Sequence, residues 1–239
     1  MNDATSRTER GRETLRQLGW SMDGPVKGLN PRFWAHTVDT IFSDLWTRPG
    51  LNMRDREMVT IAVLVALDAD VGIAGHFKYA APKVGLTRDE TFEIILHAMY
   101  YSGWPRNEAF LRLQKAIDET PNHPWKNEPW TADPPKEEDP QKRKERGQQI
   151  LRDLGWPMEG PIKGLNPRFW EHTVQTIFCD LWGRPGLSIR DREVITIAVL
   201  VALDADAGIA GHFKYAASKV GLTYDEVFEI ILHAMYYSG

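Results

Sequence analysis

Residues 44–67, DLWTRPGLNMRDREMVTIAVLVAL, decide the fold of this chain, and residues 180–203 repeat them as DLWGRPGLSIRDREVITIAVLVAL. The second half of each stretch is apolar on all sides of a helix, which is typical of a helix buried at the centre of a fold. Polar residues precede each apolar run, with Asn52 and Ser188 opening a sequence close to a capping box. The stretch therefore predicts a buried central helix that occurs twice.

Both stretches belong to a longer duplication. Residues 11–103 align with residues 147–239 without a gap, and 74 of the 93 aligned positions are identical. A period of this length is too long for a solenoid repeat and indicates a duplicated domain, with each copy able to hold its own core. We therefore predict a first helical domain over 1–117, a linker over 118–143 and a second helical domain over 144–239.

The remaining pattern predicts an all-α fold made of two tandem copies of one helical domain. No segment alternates between polar and apolar residues with a period of two, so no sheet is expected. Asn30 followed by Pro31 is a typical helix start, and Thr87 opens a second capping-box-like sequence. Residues 70–84 predict a further helix, which Gly85 ends.

The region between the copies combines two signals. Its prolines and the charge run at 136–146 are typical of an extended tether. Trp125 and Trp130 are unusual in a free linker, so we expect these rings to hold it against a domain surface. In the first copy, residues 104–119 predict a last amphipathic helix. The second copy has no such sequence before Gly239, which leaves open whether it lacks this helix or ends early.

The composition argues against several classes of protein. The 239 residues carry a net charge of −4 and a pI near 6.0, which does not suit a nucleic-acid partner. Cys179 is the only cysteine and corresponds to Ser43, so no disulfide forms within the chain. The polar first residues are no signal peptide, and the longest apolar run, 58–67, is too short to span a bilayer. We expect no membrane partner and a cytoplasmic location.

The candidate catalytic residues are Glu57 and His76, repeated as Glu193 and His212. Glu57 opens the apolar helix at the edge of a core, and His76 lies among the small residues of GIAGHFKYAA, 72–81. A desolvated carboxylate near an imidazole forms a pair whose pKa values are moved towards neutrality, as proton transfer requires. The alternative is structural: Glu57 caps its own helix and His76 is a hydrogen-bonded core histidine.

A second set of residues could bind a substrate. An arginine fork suits an anionic group, although arginines at a helix start also form ion-pair networks. A histidine or a tryptophan in an apolar helix could line a pocket or belong to the core. The candidate substrate-binding residues are Arg54, Arg56, Arg190, Arg192, His97, His233, Trp46 and Trp182. Neither an HExxH pattern nor clustered cysteines occur, so no metal site is expected.

Three linked motifs resemble the carboxymuconolactone decarboxylase family. They are residues 44–67, GHFKYAAPKVGLT at 75–87 and EIILHAMYYSGWP at 93–105, and the second copy repeats them. The resemblance implies an all-α fold built on a helical hairpin and assembly as a ring. A tandem chain would then form a homotrimer that imitates a hexamer. Decarboxylase-like members keep histidines at the positions of His76 and His97.

The same family contains alkylhydroperoxidase-D-type proteins, whose redox centre is a Cys-x-x-Cys with a glutamate before it and a histidine after it. Glu57 and His76 fall at the glutamate and histidine positions, but Ala69 and Gly72 occupy the cysteine positions. Without thiols there is no disulfide exchange, which excludes a thiol peroxidase. Residues 68–72 also lack the arginine of the decarboxylase pattern, which leaves the substrate open.

The residues and the resemblance together predict a lyase or isomerase that needs no cofactor and acts on a small unsaturated organic acid or lactone. His76 and His212 would deliver the proton, Glu57 and Glu193 would be their partners, and an arginine would hold the substrate carboxylate. The alternative is a non-catalytic ligand-binding or assembly protein that keeps the family fold.

Overall fold

The computed structural model describes residues 3–22, 25–131, 133, 136–159 and 161–239, and this part of the chain is helical without a strand. The all-α prediction is confirmed. The α-helices of the first half are Asp3–Gln17, Pro25–Leu29, Pro31–Thr37, Met53–Ala66, Asp70–Gly75, Ala81–Lys83, Arg88–Ser102 and Glu108–Glu119. Those of the second half are Pro140–Asp153, Pro161–Leu165, Pro167–Thr173, Ile189–Ala202, Asp206–Gly211, Ala217–Lys219 and Tyr224–Ser238. The π-helical segments are Val38–Leu45, His76–Ala80, Val174–Trp182 and His212–Ala216, and Trp104–Asn107 is a 3-10 helix.

Four helices form the centre of the molecule: Met53–Ala66, Arg88–Ser102, Ile189–Ala202 and Tyr224–Ser238. The two central helices, Met53–Ala66 and Ile189–Ala202, contact each other, and each also packs against both of the other two. A single apolar cluster contains residues of all four helices. The expectation that each copy holds its own core is therefore wrong. Each apolar run is buried on all sides because helices of both repeats pack around it.

The helix starts that the sequence indicated are present. The Asn52 side chain accepts a hydrogen bond of 2.8 Å from the backbone N–H of Asp55 at the start of its central helix. Thr87 forms a capping box with Glu90, and Thr223 and Ser188 open their helices in the same way. These caps fix the ends of the helices that position the candidate catalytic residues. No helix in the described residues has the length and apolar composition needed to cross a bilayer.

The described part of the region between the repeats is not an extended tether throughout. Asp139 caps the helix Pro140–Asp153 by accepting hydrogen bonds from the backbone N–H groups of Gln141 and Lys142. The charge run is therefore helical from Pro140 onward, and the predicted boundary at residue 143 falls inside this helix. Proline at a first helical position after an aspartate cap favours this start.

The preceding residues lie against the first repeat, as the tryptophans predicted. Trp125 is buried and belongs to the central apolar cluster. The Arg88 guanidinium lies 3.5 Å above the Trp130 ring. His123 Nε2 donates a hydrogen bond of 3.1 Å to the Phe77 carbonyl. The segment after Glu108–Glu119 is thus anchored at three points.

Candidate active site

His76 lies at the start of a π-helical segment, His76–Ala80, that continues the short helix Asp70–Gly75. π-Helical turns inside α-helices occur frequently at functional sites. Gly75 is required here because a Cβ at this position would overlap the indole ring of Trp20. The missing side chain lets Trp20 pack beside the histidine, with 5.2 Å between the ring centroids. Gly211, Trp156 and His212 repeat the arrangement in the second repeat.

The structure brings His76 and Glu57 together in a buried pair. His76 Nδ1 lies 3.0 and 2.9 Å from the two carboxylate oxygens of Glu57, whose side chain is fully buried. A hydrogen bond from Nδ1–H to the carboxylate accounts for both distances. This contact fixes the orientation of the ring and leaves Nε2 as its second reactive nitrogen. His212 and Glu193 repeat these distances.

Aromatic side chains from both repeats surround the His76 ring. The Trp46 ring lies parallel to it with 6.4 Å between centroids, and Tyr237 of the second repeat meets it edge-on at 6.2 Å. Trp46 Nε1 donates a hydrogen bond of 2.9 Å to the Tyr237 hydroxyl. Burial raises the pKa of Tyr237 above its usual range, so this phenol is neutral. In the second site the matching residues are Trp182 and Tyr101.

His233, the counterpart of His97 in the second repeat, lies beside the Trp46 ring of the His76 site. His233 is fully buried, and its ring lies edge-on to Trp46 at 5.1 Å. Thr60 donates its hydroxyl proton to the Arg56 carbonyl, so His233 Nε2–H donates to Thr60 Oγ1 at 2.8 Å. His233 Nδ1 then accepts from the Arg56 guanidinium at 3.4 Å.

This network holds His233 in its neutral form. Burial first, and then the charges of Arg56 and His76, lower the pKa of His233 well below its ordinary value. His97 has the same partners in Arg192 and Thr196, and its pKa is lowered for the same reasons. Both rings are fully buried, and their nitrogens have hydrogen-bond partners within the protein; a substrate-binding role for His97 and His233 stays a prediction.

The predicted substrate-binding arginines are likewise already paired with carboxylates. Arg56 is fully buried and lies 3.0 Å from Glu229 of the second repeat, which Arg48 also contacts at 2.6 Å. Hydrogen bonds from both arginines hold the pKa of Glu229 below its usual range against the opposing effect of burial. Arg192, Arg184 and Glu93 form the equivalent cluster.

Arg54 and its counterpart Arg190 form ion pairs that connect the two repeats. Arg54 contacts Glu90 at 2.6 Å and Asp191 at 3.1 Å. Arg190 contacts Glu226 at 2.5 Å and Asp55 at 2.9 Å. These ion pairs form the kind of network at the helix starts that the sequence left open as an alternative, and a substrate-binding role for the arginines stays a prediction.

Sequence reasoning missed three contributors to this region. Tyr101 and Tyr237 follow the buried histidines by four residues, one helical turn, and Glu93 and Glu229 precede them by the same spacing. Trp20 and Trp156 lie outside the three family motifs. The spacing of four residues could be read from the sequence. The sequence did not show that these tyrosines and glutamates contact residues of the other repeat.

Comparisons with known proteins agree with this fold. The family model described as "Carboxymuconolactone decarboxylase family" matches residues 31–116 and 167–239. A 4-carboxymuconolactone decarboxylase of Acinetobacter baylyi is 37% identical over 76 residues, which are 32% of this chain and 56% of that protein. A nitrosuccinic acid decarboxylase, npaB, of Metarhizium robertsii is 33% identical over 76 residues, 31% of this chain and 52% of that protein.

The chain thus spans about half the length of the curated relatives that it matches. Among solved structures, a Burkholderia xenovorans LB400 protein assigned as a gamma-carboxymuconolactone decarboxylase subunit superposes with a TM-score of 0.59. The match covers 95% of this chain and 90% of that one at 20% sequence identity, which shows a shared fold.

Proposed function

This chain belongs to the carboxymuconolactone decarboxylase family, and from that premise we propose that it is a lyase that decarboxylates a small organic acid or lactone. Two relatives of this chain are named as decarboxylases of organic acids, one of a lactone and one of a nitro acid. The observation that carries the proposal is the buried pair of His76 and Glu57, which recurs unchanged as His212 and Glu193.

The proposed reaction uses the histidine as a proton donor to carbon. The bond between the substrate and its carboxyl group breaks, carbon dioxide leaves, and the electron pair moves into a neighbouring carbonyl, nitro group or conjugated alkene. His76 Nε2–H then gives its proton to carbon, and the ring regains a proton from solvent. General acid catalysis of this kind contributes about 10²–10⁴ to the rate.

Glu57 is the partner of the histidine in this proposal. Its carboxylate accepts the Nδ1–H hydrogen bond, which orients Nε2, and its negative charge stabilises the imidazolium that holds the proton to be transferred. Because the glutamate is fully buried, the interaction is stronger than it would be in water. The surrounding rings of Trp20, Trp46 and Tyr237 supply an apolar environment that disfavours the charged substrate carboxylate relative to neutral carbon dioxide.

The proposal is tested by following ultraviolet absorbance and carbon dioxide release with γ-carboxymuconolactone, nitrosuccinic acid and related unsaturated acids. We expect wild-type protein to turn over at least one of them and the double variant His76→Ala/His212→Ala to lose this activity. The matched control is His36→Ala/His172→Ala, which changes two exposed histidines. Lack of turnover on every substrate, with ligand binding retained, would favour the ligand-binding alternative instead.

We further propose the homotrimer that the family resemblance implied, in which each chain supplies two repeats. Light scattering on the eluting protein would measure a mass three times the 27.3 kDa of one chain.

A further inference from the structure

Two tryptophans beside the candidate catalytic histidines carry a buried hydrogen-bond donor that the proposed reaction leaves unused. Trp20 Nε1 is enclosed by protein atoms and makes no hydrogen bond within the described residues. Trp156 Nε1, its counterpart in the second repeat, is buried without a partner in the same way. A buried N–H group without an acceptor costs free energy, and such groups are rare in folded proteins. Both repeats nevertheless keep this donor next to their histidine.

The other tryptophan at each histidine has its indole nitrogen bonded. Trp46 Nε1 donates to the Tyr237 hydroxyl at 2.9 Å, and Trp182 Nε1 donates to the Tyr101 hydroxyl at the same distance. The Trp46 ring is therefore held by a partner inside the protein. The Trp20 N–H group, in contrast, is available to an acceptor that enters the site.

The backbone holds Trp20 in place although its indole nitrogen is not bonded. The helix Asp3–Gln17 ends in a turn in which Gly19 has a φ of 72°, a conformation that favours glycine. The backbone N–H of Trp20 then donates to the Leu15 carbonyl at 2.9 Å. The second repeat has the same turn before its own tryptophan. The position of the ring therefore does not depend on a hydrogen bond from Nε1.

The Trp20 indole rests with its six-membered ring on the segment that carries His76. The atoms Cη2, Cζ3 and Cζ2 of this ring occupy the space that a Cβ at Gly75 would need. The five-membered ring, which carries Nε1, is the other end of the indole. Because the ring centroids of Trp20 and His76 are 5.2 Å apart, the unused donor belongs to a ring in contact with the histidine.

His76 itself has one ring nitrogen without a partner. Its Nδ1 contacts the Glu57 carboxylate, and its Nε2 makes no hydrogen bond within the part of the chain that the structure describes. A ligand at this place would therefore meet two unbonded ring nitrogens, Nε2 of His76 and Nε1 of Trp20. One can transfer a proton, and the other can only donate a hydrogen bond.

We propose that Trp20 Nε1–H and Trp156 Nε1–H each donate a hydrogen bond to the substrate oxygen that takes up the electron pair during decarboxylation, an inference that rests on the proposed function. When the bond to the carboxyl group breaks and carbon dioxide leaves, the electron pair moves into a carbonyl or nitro group. The oxygen of that group becomes negative and accepts the indole N–H, which keeps its own proton. His76 Nε2–H then protonates the carbon.

The indole N–H is suited to this role because it is neutral and fixed. A fixed donor in a site without water stabilises charge that develops in the transition state more than it stabilises the substrate. The inference also narrows the substrate class. It requires an acid or lactone in which a carbonyl or nitro oxygen is conjugated with the bond that breaks, and an acid whose electrons have only an alkene to enter does not qualify.

Steady-state kinetics test the donor through Trp20→Phe/Trp156→Phe, which keeps an aromatic ring and removes the N–H group. We expect kcat to fall by about tenfold to hundredfold, the value of a hydrogen bond to a charged group. KM should change little, because the bond gains its strength in the transition state. The matched control is Trp34→Phe/Trp170→Phe, the same replacement at another half-buried pair of tryptophans, and it should keep its kcat. Circular dichroism shows whether each variant retains its helices.

Nitrogen-15 NMR of the indole N–H groups tests the donor with both tryptophans in place and without turnover. The protein carries His76→Gln/His212→Gln, so that it has no imidazole to protonate a substrate, and the probes are γ-carboxymuconolactone and nitrosuccinic acid. The resonances of Trp20 and Trp156 are identified by their loss in the phenylalanine variants. We expect both to shift saturably with at least one probe, while those of Trp34 and Trp170 stay in place.

The two measurements separate this inference from the proposed function. Wild-type turnover with an unchanged kcat in Trp20→Phe/Trp156→Phe would overturn the inference and leave the lyase standing. Equal losses of kcat in the test and control variants would also overturn it, as would the absence of a saturable shift with either probe. A saturable shift of both resonances in a protein that turns over no substrate would refute the lyase and support the indole as the donor to a bound acid.

Discussion

The indole nitrogen of Trp46 donates a hydrogen bond of 2.9 Å to the hydroxyl of Tyr237, 191 residues away in the other repeat. Trp182 of the second repeat donates the same hydrogen bond to the Tyr101 hydroxyl of the first repeat. Each of the two histidines is therefore flanked by tryptophans of its own repeat and by a tyrosine of the other repeat. The two sites depend on the pairing of the repeats as well as on the fold of each one.

Because each histidine contacts a tyrosine of the other repeat, the structure predicts which tyrosine affects which site. On the proposed mechanism, a His212→Ala background leaves the His76 site alone to act, and Tyr237→Phe should lower kcat/KM there by about threefold to tenfold. This is the value of one hydrogen bond, the one that holds the Trp46 ring. Tyr101→Phe in the same background is the matched control and should have no effect. In a His76→Ala background the two tyrosines should exchange roles, and equal effects in both backgrounds would contradict the crossed arrangement.

The buried glutamates predict a loss of rate without a loss of structure. Glu57→Gln/Glu193→Gln keeps an oxygen that accepts the Nδ1–H hydrogen bond but removes the charge that stabilises the imidazolium. We expect kcat to fall by about 10² while KM changes little, because the effect arises in proton transfer. Steady-state kinetics and a thermal unfolding scan measure both properties. A variant with wild-type kcat would show that the glutamate only positions the ring.

The parts of the fold that depend on neighbouring residues in sequence could be predicted, and those that depend on pairing between repeats could not. Asn52 and Thr87 identify helix starts because their side chains bond to backbone three residues away. The role of Arg56 depends on Glu229, a residue 173 positions distant, so an arginine that could bind substrate and one that is already paired look alike in sequence. The close match of the repeats concealed that they share one core.

The cluster around Arg56 predicts a large loss of stability when its carboxylate is neutralised. Glu229→Gln leaves a fully buried guanidinium without its ionised partner. Breaking a buried ion pair in this way costs about 3–5 kcal/mol of the free energy of unfolding, which urea denaturation measures. Glu13→Gln, which removes an exposed pair with Arg16, is the control and should change stability by less than about 1 kcal/mol. Similar values for both variants would mean that the Arg56 cluster does not hold the repeats together.

The buried histidines predict that the protein loses stability as the pH falls through the ordinary range of histidine. Burial lowers the pKa values of His97 and His233 in the folded state, so below a pH of about 6.5 the unfolded chain binds protons that the folded chain does not. The two residues together should lower the free energy of unfolding by about 2.5 kcal/mol between pH values of about 7.5 and 5.5. His97→Gln/His233→Gln keeps a side-chain N–H donor without this titration, so its stability should fall less over the same interval. Urea denaturation of both proteins at several pH values measures the difference. If the two curves fall in parallel, other groups are responsible for the acid sensitivity.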